Sequence, residues 1–226
     1  MVRATVRVEM GDYRQALADV ERCLQIEPPE PLALLTRGNL RAQLGELESA
    51  LVDFTDFLRQ QPGSVLALRA RAASYARLHR FEEALADLHE ALCVDPTNAD
   101  AYLDRGRIYQ KKGCYCAALA DYQQALDVRP TEARFYNQYA WMLAACPQPE
   151  YRDGPRAVEL ALRGCELTNW RDANILDTLA SAYAECGRFD EAVTWANKAF
   201  ELAEAEVKEA VGEHVQWFRN GRPARF

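Results

Sequence analysis

The sequence has few features of membrane or nucleic-acid-binding proteins. No apolar run approaches the ~18 residues that a membrane-spanning helix requires, and Arg3, Arg7 and Glu9 interrupt any signal-peptide core near the start. Basic residues number 27 against 34 acidic residues, which gives a formal net charge of −7. Because phosphate groups and anionic lipids attract cationic surfaces, this balance predicts a protein with no nucleic-acid and no membrane partner.

Side chains that carry catalysis and metal binding are also sparse or scattered. The three histidines share no metal-ligand spacing with one another or with cysteines, and no glycine-rich phosphate loop is present. An odd number of cysteines, seven, without a signal peptide is typical of the reducing cytoplasm. Cys114 and Cys116 lie too close in sequence for a zinc or redox pair, so we interpret them as small residues near a turn. We therefore expect no enzyme activity, no cofactor, no metal and a cytoplasmic location.

What the sequence does contain is a repeat with a period of 34 residues. Several columns of similar residues keep the same phase over four units, which indicates a repeat architecture rather than one globular core. The proline column consists of Pro28, Pro62, Pro96 and Pro130, and the turn column consists of Gly11, Gly45, His79 and Gly113.

Each repeat is predicted to be a helical hairpin. Apolar residues from Leu47 to Leu58 form one stripe of a helix, and another helix lies upstream. Gly45 separates the two helices, where a residue that tolerates positive φ closes the first, and Pro62 ends the second. We expect Gly38 and Ala50 where the helices approach most closely, because larger side chains would separate them.

Two charged columns predict ion pairs across the hairpins. In each repeat an arginine lies eight residues before the turn position and an aspartate lies eight residues after it, so an antiparallel hairpin places them opposite each other. Desolvation offsets much of the attraction in such pairs, whereas removing one partner is costly. The predicted structural pairs are Arg3 with Asp19, Arg37 with Asp53, Arg71 with Asp87, and Arg105 with Asp121.

These columns resemble the tetratricopeptide repeat family. The residues that carry the resemblance most fully are Arg105, Gly106, Tyr109, Gly113, Tyr115, Ala118, Tyr122, Ala125 and Pro130. The resemblance implies an all-α fold, a right-handed superhelical solenoid of antiparallel helix hairpins. An extended turn around Pro147 looks like a bacterial subtype of the family.

Six repeat units and a closing helix are predicted. Residues 204–219 form the capping helix, because one of its faces is apolar and can cover the flank of the last hairpin. The alternative is a partner-binding or membrane-surface helix, although its acidic polar face disfavours membranes. Residues 220–226 are expected to be a loosely held basic tail. The units span residues 1–30 (truncated), 31–64, 65–98, 99–132, 133–172 and 173–203.

In the family, the first helices of the units line a concave groove that holds a segment of a partner, and the resemblance implies the same here. Arginines in this groove would reach carboxylates of an extended acidic peptide, and Trp141 would pack an apolar side chain. The alternative is that these are ordinary solvated side chains. The predicted peptide-binding residues are Asn39, Arg69, Arg77, Arg107, Lys111, Arg134, Asn137, Gln138 and Trp141.

The predicted function is a non-enzymatic scaffold for protein–protein interaction that binds a peptide or segment in the groove. The alternative is a docking or regulatory module of a larger enzyme, such as a kinase or transferase, because the first unit is incomplete. An RNA-binding helical repeat has a similar unit length but would need a basic groove, which a net charge of −7 disfavours. Self-association through the N-terminal unit is a further expectation.

Overall fold

The computed structural model describes Arg7, residues 11–25 and residues 31–226. Within these residues the chain forms twelve α-helices and one short 3-10 helix, with no strand. The expected fold class, an all-α array of helix hairpins, is therefore confirmed. The chain divides into two compact units, Met1–Lys112 and Gly113–Phe226, and the boundary falls in the turn of the fourth predicted hairpin.

The first unit contains six described helices. Consecutive helices pack against each other. The first helices of the second, third and fourth repeats also contact one another from repeat to repeat. Helices α2, α4 and α6 therefore lie side by side. Their bounds are α1, Tyr13–Leu24; α2, Pro31–Gln43; α3, Leu47–Gln60; α4, Val65–Arg77; α5, Phe81–Val94; and α6, Ala99–Lys111.

Local sequence explains the ends of these helices. Gly45 closes α2 with a φ of 85°, and His79 takes the equivalent position after α4 with a φ of 58°. The Ser64 and Asn98 side chains accept hydrogen bonds from the third residue of the helix that each precedes, α4 and α6. The turn positions of the 34-residue pattern therefore serve as helix terminators.

A close approach between α2 and α3 occurs at the small residues of the pattern. A Cβ atom on Gly38 would lie 2.6 Å from Cε1 of Phe54, and Ala50 is fully buried. The ring of Phe54 thus occupies the space that a larger residue at position 38 would need. It belongs to a continuous core that also contains Leu68 and Leu88.

The second unit contains the remaining helices. Helices α8 and α9 pack together, as do α10 and α11, and α12 contacts α11 and α10. The bounds are α7, Tyr115–Val128; α8, Ala133–Ala145; the 3-10 helix, Pro149–Tyr151; α9, Gly154–Leu167; α10, Ala173–Glu185; α11, Phe189–Leu202; and α12, Ala205–Arg219.

The apolar face of α12 is buried in this unit. Val211, Val215 and Phe218 are buried, and the last two join a cluster with alanines of α10 and α11. The chain after α12 is not loosely held, so that expectation was wrong. Ala224 is buried and Arg225 makes an ion pair with Glu185, because the chain turns back onto the ends of α8 and α10.

Candidate partner-binding surfaces

Two of the predicted ion pairs lie within hairpins of the first unit. Arg37 Nη2 is 2.6 Å from Asp53 Oδ1, and Arg71 Nη2 is 2.7 Å from Asp87 Oδ1. In both pairs a second donor, Nε, also bonds the carboxylate, which makes the contact bidentate. The hydrogen bond to Asp87 raises the pKa of Arg71. These side chains hold the two helices of a hairpin together and are not offered to a partner.

The other two predicted pairs have different outcomes. Arg3 lies outside the described residues, and Asp19 bonds Arg7, whose Nη1 is 2.7 Å from Asp19 Oδ2. Arg7 follows Arg3 by four residues in the sequence, so the structure adds a partner for Asp19 that the prediction missed. Arg105 and Asp121 belong to different units, and their pairing stays a prediction.

Arg41 makes the equivalent extra contact in the next repeat. Its Nη1 is 2.8 Å from Asp53 Oδ2, and its Nη2 is 3.4 Å from Glu21 Oε1 on α1. Arg41 and Arg7 occupy one column of the 34-residue pattern, where later repeats have Tyr75 and Tyr109. This shared column is the feature of the sequence from which the extra contacts of Arg7 and Arg41 could have been predicted.

The predicted binding residues of the first unit lie on α2, α4 and α6. We call this set the first-helix surface, defined by Asn39, Arg69, Arg77, Arg107 and Lys111. Arg69 differs from the rest because it is only a quarter exposed and engaged by acidic side chains of α6.

The contacts of Arg69 are with two aspartates one turn apart. Its Nη2 is 2.8 Å from Asp104 Oδ2 and its Nη1 is 3.7 Å from Asp100 Oδ2. Burial raises the pKa of Asp104, against the opposing effect of the Arg69 charge. Arg69 therefore ties α4 to α6 and contributes less to a partner site than the sequence predicts.

The remaining members of the first-helix surface are exposed. Asn39, Arg107 and Lys111 are solvent-accessible on α2 and α6. Arg77 is also exposed and donates from Nη1 to the carbonyl oxygen of Ala42 in the last turn of α2. A guanidinium has five N–H donors, so this bond leaves others directed to solvent.

Predicted binding residues of the second unit lie on α8, and the end of the chain covers one of them. The Trp141 ring stacks on His214 of α12, with centroids 5.8 Å apart, and lies 6.3 Å from the ring of Phe226. His214 is fixed in turn by Asp177 of α10, whose Oδ2 is 2.7 Å from Nδ1 of the imidazole. Trp141 is thus already packed against apolar and aromatic groups of its own unit.

The other three residues on α8 have mixed environments. Arg134 is about half exposed, lies 3.6 Å from Glu132 Oε2, and covers the Phe135 ring. Asn137 and Gln138 are half-buried. The set is therefore less accessible than the first-helix surface of the first unit.

The described residues offer no obvious site for other chemistry. No group of three or more His, Cys, Asp or Glu side chains among them could hold a metal ion. None of the described helices combines the length and apolar character needed to cross a membrane.

Sequence comparisons identify repeats along most of the chain. A family model described as tetratricopeptide repeat matches residues 3–74 and 72–157, and a second model with the same description matches residues 173–210. Comparison with curated protein sequences gives no significant match.

Solved structures resemble this chain closely in fold. PilW, a widely conserved type IV pilus biogenesis factor, has a TM-score of 0.75 at 22% identity over 94% of this chain and 93% of PilW. MamA from Desulfovibrio magneticus RS-1 has a TM-score of 0.63 at 21% identity over 75% and 93%. YrrB, described as a TPR protein with an unusual peptide-binding site, has a TM-score of 0.61 at 17% identity over 86% and 97%. These identities establish likeness of fold alone.

Proposed function

Because the chain belongs to the tetratricopeptide repeat family, we propose that it is a protein-binding scaffold whose first-helix surface in the first unit binds an extended acidic segment of a partner. The repeat architecture supports an interaction scaffold, and the exposed cations of α4 and α6 support the acidic character of the partner. The chain acts in this proposal by binding rather than by catalysis.

The observation that carries the proposal is the register of two cations on adjacent helices. Arg77 near the end of α4 and Lys111 at the end of α6 are 34 residues apart and therefore occupy equivalent positions. Both are exposed, and Arg107 lies one helical turn before Lys111 on the same face.

This spacing suits an extended peptide. Packed helices lie about 8–10 Å apart, and alternate side chains of an extended chain project from one face about 6.4–6.8 Å apart. Carboxylates two residues apart in a partner would reach Arg77 and Lys111, which are long and flexible enough to cover the difference. YrrB has a peptide-binding site by its description, and we propose peptide binding for this chain as well.

The test uses fluorescently labelled short peptides rich in Asp and Glu, measured by fluorescence anisotropy over a series of salt concentrations. We expect saturable binding that weakens as salt rises, because exposed charges are screened. Arg77→Glu combined with Lys111→Glu should weaken binding about tenfold or more, equivalent to about 1.4 kcal/mol.

A matched double variant, Arg59→Glu with Arg163→Glu, makes the same change of charge on second helices. Arg59 lies on α3 and Arg163 lies on α9, and both are exposed. Equal loss of binding in this control would show that only net charge matters. Unchanged binding of acidic peptides to the Arg77/Lys111 variant would contradict the proposal.

Self-association through the N-terminal unit remains a separate prediction. Sedimentation velocity over a range of protein concentrations tests it, since a monomer at every concentration contradicts it.

A further inference from the structure

The last turn of α8 has backbone carbonyls that receive no hydrogen bond from within the helix. The final four carbonyls of any α-helix lack an N–H partner within the helix. After α10, the backbone turns through Gly187, and Arg188 N–H donates back to Tyr183 O. After α8 the chain leaves at Cys146 in an extended conformation, with a ψ of 132°, so the same turn does not form.

The extended turn between α8 and α9, residues 146–153, supplies hydrogen-bond donors for two of these carbonyls. Cys146 N–H donates to Met142 O at 3.2 Å, and Asp153 N–H donates to Leu143 O at 3.0 Å. The next two acceptors, Ala144 O and Ala145 O, belong to residues that are themselves buried. A buried carbonyl without a donor costs free energy comparable to that of a lost hydrogen bond.

The donors for Ala144 and Ala145 come from the end of the chain, residues 220–226, which we call the tail. Arg225 Nη1 donates to Ala144 O at 3.3 Å, and Phe226 N–H donates to Ala145 O at 3.3 Å. Arg225 Nη2 also bonds Glu185 Oε2 at 2.6 Å. One arginine and one backbone amide of the tail therefore satisfy the end of α8.

Apolar contacts also hold the tail in place. Ala224 is buried in the cluster formed by α10, α11 and α12, and the Phe226 ring lies beside both Trp141 and Tyr115. Phe226 is still 40% exposed. The Phe226 ring thus contacts two aromatic rings on one side and is open to solvent on the other. Core residues are enclosed on all sides, whereas a ligand bound at a surface is not.

We propose that Ala144 O, Ala145 O, Glu185 and Trp141 form a binding site for an extended peptide that carries an arginine followed by an aromatic residue. In this structure the tail occupies the site as an intramolecular ligand. A partner segment of the same chemistry binds when it displaces the tail. This tail site lies in the second unit and selects a basic peptide, so it is distinct from the acidic-peptide surface of the first unit.

The site remains suited to such a ligand when the tail leaves. Arg152 Nε donates to Glu185 Oε1 at 2.8 Å, so the carboxylate keeps one partner from the extended turn. Its other oxygen and the carbonyls of Ala144 and Ala145 then present acceptors at the negative end of the α8 dipole. A guanidinium satisfies several acceptors at once because its donors form a planar fork.

The test measures binding of a labelled, amidated peptide with the sequence of residues 221–226 by fluorescence anisotropy. Binding is measured to three proteins: the intact chain, the Arg225→Glu variant and a chain shortened to end at Gly221. The shortening leaves α12 intact, because that helix ends at Arg219. The attached tail competes at an effective concentration of roughly millimolar. We therefore expect both altered chains to bind the peptide about tenfold or more tightly than the intact chain does.

Arg222→Glu is the matched control, because it makes the same charge change in the tail at an exposed position. It should bind the peptide like the intact chain. Adding Glu185→Arg to the shortened chain, which has no attached tail to compete, should abolish binding of this peptide and permit binding of a peptide in which its second arginine, the counterpart of Arg225, is glutamate.

Absence of binding to both the shortened chain and Arg225→Glu up to about 1 mM peptide would overturn the proposal. Unchanged binding of the peptide to the shortened chain after Glu185→Arg would also overturn it. Circular dichroism checks that each variant remains helical. Arg77→Glu and Lys111→Glu leave the tail site intact, so failure of the acidic-peptide proposal and failure of this one are distinguishable.

Discussion

Arg41 Nη1 lies 2.8 Å from Asp53 Oδ2, on a carboxylate that Arg37 also bonds, through Nη2 to Oδ1 and through Nε to Oδ2. Asp53 is fully buried, whereas both guanidinium groups are about one-fifth exposed. One buried charge is thus balanced by two partly exposed charges from the same helix. Asp53 on α3 therefore holds two arginines of α2 at once.

Replacement of Asp53 by asparagine should lower the free energy of unfolding by about 3 kcal/mol. The amide keeps the shape but removes the charge that both arginines need, which leaves partly buried cations without compensation. Urea denaturation followed by circular dichroism measures the change. Asp56→Asn on the same helix removes an exposed pair with Arg59 and should cost at most about 0.5 kcal/mol. Equal effects of the two substitutions would contradict this account.

His79→Gly should stabilise the first unit by about 0.5–1 kcal/mol. His79 has a φ of 58° at a position where its column otherwise has glycine, and a side chain with a Cβ is strained there. Thermal unfolding measures the gain. The converse substitution, Gly45→Ala at a φ of 85°, should destabilise by about 1–2 kcal/mol. A loss of stability in His79→Gly would show that its ring contact with Phe81 outweighs the strain.

Gly38→Ala should destabilise the protein by about 1–2 kcal/mol, although alanine favours helices. The new Cβ would lie 2.6 Å from Cε1 of Phe54, in a core where overpacking costs about 1–3 kcal/mol. Phe54→Leu in the same chain should relieve part of this cost, which a double-mutant cycle measures. Gly212→Ala, in α12, provides the control, because only the Phe200 ring approaches at 3.3 Å. Additive effects at positions 38 and 54 would contradict a direct clash.

Cys165 should resist alkylation while the protein is folded. It is fully buried, and burial raises the pKa of its thiol to about 12, so the reactive thiolate is scarce at about pH 8. Cys93, Cys114 and Cys116 are exposed and should react first with iodoacetamide. Mass spectrometry of proteolytic peptides measures the order. Labelling of Cys165 at the rate of Cys93 would refute the buried position, whereas labelling only after denaturation is expected.

The repeating part of the fold was predictable because its constraints recur. Turn positions, the small residue at Gly38 and the Arg37–Asp53 pair each follow from the 34-residue period, in which equal distances from a turn place residues opposite each other. Arg41 was less visible, because it replaces an aromatic residue of later repeats. The sequence showed the change in residue type but not the second ion pair that accompanies it.

The covered state of Trp141 was not predictable from the repeat. Its position on α8 predicts an accessible site, but accessibility depends on residues more than 70 positions later. His214 and Phe226 follow the last repeat and have no counterpart in its columns, so no periodicity indicates where they pack. Nor did composition reveal that Arg225 supplies a donor to the end of α8, because that requires the path of the backbone.

The most direct test of the scaffold account is an exchange of binding preference. Matched acidic and basic extended peptides are measured by fluorescence anisotropy against the intact chain and against Arg77→Glu with Lys111→Glu, all with the tail present. We expect the intact chain to prefer the acidic peptide and the variant to prefer the basic one, because opposite charges then face the partner. Retention of the acidic preference in the variant would contradict the assignment of the first-helix surface.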